Sequence, residues 1–223
     1  MRKTAAALAL TLGLTLALAL ALAQAGQAAT IANGSFETGP APGAYTTLAS
    51  GATEIDGWTV AAGSIDYVGT NWTASEGGRS IDLNGIARGT ISTVIRNMIP
   101  GRDYTLFFDL SGNPDGTPRN KTVDVAIIGM AAGQFAYNTQ TAGTTRADMA
   151  WVTKALSFTA TSGIGRLTFA SQTGGPTNAH GPALDNVRIA LVPVPVPAAG
   201  LLMLGALAGL GLWRRRAPAR LRA

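Results

Sequence analysis

The sequence predicts an all-β domain, a sandwich or jelly roll, flanked by two apolar terminal segments. Three observations carry that expectation. Between Gly26 and about Leu191 no long amphipathic helical pattern occurs, while short runs rich in β-branched and aromatic residues recur between Gly, Pro, Asn and Asp. Several runs alternate with a period of two: Leu106, Phe108 and Leu110 against Thr105, Phe107 and Asp109, and Val123, Val125 and Ile127. Charged residues make up only 13 % of the 223-residue chain, and apolar residues 47 %.

The expected strands are Trp58–Val60, Ser64–Val68, Ser80–Leu83, Gly89–Ile95, Tyr104–Leu110, Thr122–Ile128, Val152–Thr159, Arg166–Ala170 and Leu184–Ala190. About nine strands at this spacing point to a sandwich or jelly roll. Val60 to Gly63 is expected to join a hairpin, and Asn113–Gly116 to form a type I turn with Pro at its second position. Trp58 and Tyr104 are expected in the core, and Tyr45 and Trp72 on the surface.

The formal charge of +5 is misleading until it is located. Seven of the 17 basic residues lie at the ends (Arg2, Lys3, Arg214, Arg215, Arg216, Arg220, Arg222), whereas all 12 acids lie between Glu37 and Asp185. The middle is slightly acidic, so nucleic-acid binding loses its support. Cysteine is absent and His180 is the only histidine, which removes disulfide scaffolds, thiol catalysis and multi-histidine metal sites. No Gly-x-Ser-x-Gly elbow accompanies His180, which is expected on an exposed loop. No catalytic residue is assigned.

Residues 1–25 read as a secretory signal: Arg2 and Lys3, an Ala/Leu run over Ala5–Ala23, and Ala23-Gln24-Ala25 for cleavage. The domain follows over 26–191. At the other end, Val192-Pro193-Val194-Pro195-Val196-Pro197 is a helix-free spacer. The uncharged apolar run 198–213 is expected to be a membrane helix, and Arg214-Arg215-Arg216 opens a basic cytoplasmic tail, 214–223.

This three-part end resembles the PEP-CTERM sorting signals of Gram-negative bacteria, closest to the Val-Pro-Leu-Pro-Ala variant, with Val196 at the variable position. The resemblance implies recognition by an exosortase-type transpeptidase. It also implies export through an inner-membrane-anchored intermediate to the cell surface or extracellular matrix.

A second resemblance runs along the domain. Asn33-Gly34-Ser35-Phe36-Glu37, Gly57-Trp58, Gly77-Gly78-Arg79-Ser80-Ile81-Asp82-Leu83-Asn84-Gly85 and Leu184-Asp185-Asn186-Val187 occur in the order of the choice-of-anchor C domain. That domain is the bacterial relative of plant cell-wall proteins in domain-of-unknown-function family 642. The resemblance implies a galactose-binding-like jelly-roll β-sandwich with no assigned catalysis and an extracellular polysaccharide or envelope glycan as partner. A secreted glycan hydrolase, or a surface protein binding other proteins, is the alternative.

The terminal motifs are also similar to those of carbohydrate-binding jelly rolls that hold a structural Ca²⁺. By that resemblance Glu37, Glu76 and Asp185 would supply carboxylates, and Ser35 and Arg79 carbonyl oxygens, the hard donors calcium takes. The competing expectation is that the acids bond backbone or an arginine instead. Tyr45 and Trp72 are the candidate sugar platforms.

Overall fold

The computed structural model describes residues 28–175 and 177–193. The proposed signal (1–25), the spacer beyond Pro193, the apolar run and the basic tail lie outside them. Among the described residues no helix is long and apolar enough to cross a membrane.

Twelve strands form: β1 (Thr30–Ile31), β2 (Tyr45–Ala49), β3 (Thr59–Ala62), β4 (Ser64–Val68), β5 (Ser80–Asp82), β6 (Thr90–Arg96), β7 (Asp103–Gly112), β8 (Asn120–Ile127), β9 (Ala131–Asn138), β10 (Val152–Thr159), β11 (Gly165–Ser171) and β12 (Pro182–Leu191). They make two antiparallel sheets. The first runs β1-β6-β11-β8-β9, with β3 on the same edge of β6 as β1; the second runs β10-β7-β12-β5-β4-β2. From β5 onward nearly every connection changes sheet, and only β8 and β9 follow each other within one. That wrapping makes the domain a jelly-roll sandwich.

Alternation decides which faces meet. On β7, Tyr104, Leu106, Phe108 and Leu110 point inward; on β8, Val123, Val125 and Ile127; on β11, Leu167 and Phe169. Phe108 packs edge-on against both Phe135 and Phe169, and Trp58 tilts against Phe36 and Phe169. Trp58 and Tyr104 are buried, as their patterns imply.

The hairpin expected at Val60–Gly63 does not form. β3 belongs to the first sheet and β4 to the second, so Gly63 carries the chain across the sandwich. Gly63 has φ +62°, and a Cβ there would fall 1.9 Å from the Arg88 carbonyl oxygen. Only glycine meets both constraints.

The beginning and the end of the domain cross at a bulge. β12 shifts register between Asp185 and Arg188, with Asn186 at φ 49°. The displaced Val187 N–H donates to the Gly34 carbonyl at 2.8 Å. A Cβ at Gly34 would lie 1.9 Å from the Val187 oxygen, so the Asn-Gly-Ser-Phe turn needs its glycine for close approach.

Candidate functional site

The outer face of the second sheet is not left to water. Alternation places Ser64, Asp66 and Val68 of β4, Ser80 and Asp82 of β5, Asp109 and Ser111 of β7, and Ala183 and Asp185 of β12 on it. Two long loops, 69–79 and 139–151, fold over this face. Trp72, Val68, Met149 and Ala183 form a second apolar cluster beneath them, with Trp151 partly covering it. The loops are tied together by Thr73 N–H to the Arg146 carbonyl (3.0 Å) and by Trp151 Nε1 to the Thr73 carbonyl (3.0 Å).

Trp72 is therefore not the exposed ring its polar loop suggested. Only 5 % of it is accessible, and its Nε1 donates to Ser80 Oγ at 2.8 Å. The indole satisfies its one donor while its rings fill the gap under the loops.

The residues proposed for calcium meet around the same loop in another role. Glu37 Oε1 accepts the Gly78 and Arg79 backbone N–H groups at 2.9 and 2.8 Å. Asp185 Oδ2 accepts those of Ser75 (2.7 Å) and Glu76 (3.0 Å), and its Oδ1 that of Asn186 (2.6 Å). Glu76 thus contributes its amide, and its side chain is exposed. Ser35 sits half-buried in the first turn. Arg79 does not pair with Asp185: its Nη1 donates to the Tyr67 hydroxyl (2.7 Å) and the Gly39 carbonyl (2.9 Å).

Among the described residues no group of three His, Cys, Asp or Glu side chains could hold a metal ion. Amide protons already face Glu37 Oε1 and both Asp185 oxygens, so these two carboxylates do not fit calcium as arranged. They fit a clasp, two acids pinning the loop by its backbone. Beside it, Asp109 and Asp185 stand directly opposite across β7 and β12, a costly placement for like charges. They diverge in protonation. Burial pushes the Asp185 carboxyl up to about 7, against the pull of its three amide donors. Asp109 is partly desolvated too. Donors from Ser75, Thr153 and Asn186, with Arg188 nearby, nevertheless hold it below the usual range.

Beside the loops lies an open cleft on this face, about 240 Å³, lined by Tyr45, Asp66, Asn71, Asn113, Asp115, Arg146 and His180, with Val68 and Trp72 as its floor. Tyr45 is 54 % exposed on the edge strand β2, opposite Val68. Arg146 and Asp115 form a forked pair, Nε and Nη2 reaching Oδ2 at 3.0 and 2.6 Å. Asp66 accepts the Thr47 hydroxyl at 2.5 Å, and burial raises its carboxyl above the ordinary value.

Directly across from Asp66 on β5 stands Asp82, fully buried and raised to about 7 by desolvation. Its Oδ1 accepts Asn84 and Gly181 N–H, each at 2.9 Å, and its Oδ2 the Asn113 amide at 2.8 Å. On the other side of the 180–181 peptide, the buried Lys121 donates from Nζ to the His180 carbonyl at 2.7 Å. Burial lowers that ammonium to about 8. Asp82 and Lys121 thus hold the loop bearing His180 from both ends of one peptide unit. His180 is half-buried at the cleft wall, its ring packed so that a Cβ on Gly116 would meet it at 2.3 Å; it is not the exposed loop histidine expected. The patterns gave no sign of Lys121 or Asp66.

Solved structures of similar shape include several carbohydrate-binding modules. TmCBM61, in complex with β-1,4-galactotriose, has a TM-score of 0.43 and 13 % identity over 72 % of this chain and 97 % of that one. A family 16 module has 0.43 and 16 % over 72 % and 98 %. A family 35 module from Clostridium thermocellum has 0.42 and 13 % over 66 % and 98 %. In sequence, the chain is 31 % identical over 174 residues to Halomucin of Haloquadratum walsbyi (strain DSM 16790 / HBSQ001), covering 76 % of this chain and only 2 % of that protein. The family model described as protein of unknown function (DUF642) matches residues 29–190, nearly all of the sandwich, and the chain belongs to that family.

Proposed function

We propose that the domain is a non-catalytic glycan-binding module of an exported surface or matrix protein, and that its ligand is an exopolysaccharide or envelope glycan. The observation that carries this reading is the cleft over the second sheet. One exposed tyrosine ring borders a small open space lined by amides, carboxylates and a fixed guanidinium. A pyranose offers that combination an apolar C–H face and hydroxyls that both donate and accept. At about 240 Å³ the cleft is smaller than sites that engulf a drug-sized ligand, which suits one residue of a chain lying across the surface.

The hydrolase alternative needs two reachable carboxylates. Asp66 has two acids for company: Asp82, its neighbour, has no accessible surface and bonds only protein donors, and Asp115, across the cleft, is held in the forked pair with Arg146. Binding by Asp66 together with the amides is the better use of this geometry.

The test pairs a glycan array with a reducing-sugar release assay on the whole chain. Tyr45→Ala is expected to weaken the strongest array hit by about tenfold, a loss of ~1.4 kcal/mol. Release of reducing ends that Asp66→Asn abolishes would reject the binding-module reading.

For the protein as a whole, the choice-of-anchor C and PEP-CTERM resemblances support display through an exosortase-processed tail. The intact mass of protein isolated from its native host is expected to lack the arginines after 213. A chain that retains them in cells with active exosortase rejects the sorting reading.

A further inference from the structure

The two ends of the sandwich differ in chemistry. One carries the loops 97–102, 128–130 and 160–164. At the other lie the loops 83–89, 113–119, 139–151 and 172–181. The pairing registers place both ends of the described chain at the first of these. Thr30 pairs Arg96 at the last residue of β6, and Leu191 pairs Tyr104 while Val192 N–H donates to Asp103, the first residue of β7.

This same end carries most of the large exposed apolar side chains. Ile99, Ile128 and Ile164 are 44, 59 and 58 % exposed, one on each loop, and Leu191 and Val192 join them. The opposite end exposes Ile86 and, at the first residue of β10, Val152. The three loops are continuous: Met98 N–H donates to the Gly163 carbonyl and Ile128 N–H to the Arg166 carbonyl, each at 3.0 Å. Charge is one-sided as well. Arg96 and Arg166 are exposed and Arg102 half-buried, against the single acid Asp103, which accepts the Thr159 hydroxyl.

We propose that this end of the sandwich rests on an anionic lipid bilayer, with Ile99, Ile128 and Ile164 entering the headgroup region and Arg96 and Arg166 against lipid phosphates. Apolar side chains beside arginines are the pattern of interfacial binding. The length of chain that follows argues for a bilayer rather than a second copy. Six residues, Val192–Pro197, separate this end from the uncharged run 198–213. At full extension they reach at most about 21 Å. The inference thus rests on the reading that the run enters a membrane. While the run is inserted, the isoleucines cannot be far from the lipid surface, and the tether turns weak contacts into a local equilibrium.

The chain has no cysteine, so single probes are unambiguous. The full chain is prepared as Ile99→Cys, Ile128→Cys, Ile164→Cys and, at the far end, Ile86→Cys, each carrying an environment-sensitive fluorophore. Each is reconstituted into phosphatidylethanolamine–phosphatidylglycerol vesicles with brominated acyl chains. Flotation reports the tail; quenching by bromine reports the end of the sandwich. The three near-end probes are expected to shift to the blue and to be quenched at least about twofold more than the Ile86→Cys probe. Added Arg96→Glu and Arg166→Glu should reduce that difference. Equal quenching at all four positions in a chain that floats overturns the proposal while leaving the membrane reading of the tail intact. Shielding without bromine quenching, accompanied by disulfide-linked dimers of the same cysteine variants left unlabelled and oxidised, assigns the face to a second copy and overturns it too. A chain that does not float overturns both.

Discussion

Tyr45 and Trp72 border the same cleft, yet their environments assign them different work. Tyr45 is more than half exposed on an edge strand, so Tyr45→Ala should change thermal stability within about 0.5 kcal/mol, the range of ordinary surface substitutions. Trp72 is buried with Val68, Met149 and Ala183, so Trp72→Ala opens a cavity and should cost roughly 3–5 kcal/mol. Urea unfolding of the two variants separates them. Equal effects would mean that the loop over Trp72 is not packed as described. Lys121 offers a third contrast. Its Nζ donates to the His180 carbonyl, and Lys121→Met would leave that partly buried acceptor without its donor, at about 1–3 kcal/mol. The same change should weaken glycan binding, because His180 lines the cleft wall.

At the scale of elements, the loop 69–79 is held by two acids distant in sequence. Because Glu37 and Asp185 bond amides, the melting temperature is expected to be the same in EGTA as in calcium. Asp185→Asn should lower it in both. A calcium-dependent rise lost in Glu37→Gln would overturn the clasp and restore the metal reading. Strands with a clear apolar alternation were legible in the sequence: β4 and β10 lie where alternation and punctuation put them, β7, β11 and β12 extend one or two residues further at either end, and β8 starts two residues earlier and ends one residue sooner. The strands β1, β2 and β9 were not. β2 is Tyr-Thr-Thr-Leu-Ala with only Leu48 buried, and half of β9 is alanine and glycine at a sheet edge. Edge strands of this kind carry too little alternation to register. The site was half legible. Tyr45 was expected on the surface and is exposed there, but Asp66 and Asp82 become neighbours only through the register of β4 and β5. Trp72 was misplaced because a polar loop can still fold back and supply a second cluster.

Across the whole molecule, buried acids and a buried lysine set the response to pH. Asp82 and Asp185 are both raised from 3.8 to about 7 in the folded chain. Between those values the folded state keeps protons that the unfolded chain has released. Stability is therefore highest on the acid side, falls as pH rises toward 7, and levels off above it. Lys121 works in the opposite sense. Lowered from 10.5 to about 8, it gives up its proton earlier when folded, so stability climbs again above that point. The urea midpoint is expected to pass through a minimum between about pH 7 and 8, with a fall on the acid limb on the order of a few kcal/mol. Asp185→Asn should shrink the acid limb and spare the alkaline one. A flat profile from pH 5 to 10 would show that neither acid is desolvated as the packing implies.

The shared location of the first and last strand ends has a consequence for modularity. A domain entered and left at one side can be spliced into the loop of a larger protein as a pendant, without its host having to span the sandwich. Nothing in the two sheets would need to change for such a transplant, since the junction falls outside the Gly34–Val187 crossing that locks the fold. Grafting residues 28–193 into a surface loop of an unrelated carrier should therefore leave the melting of both partners nearly independent of one another.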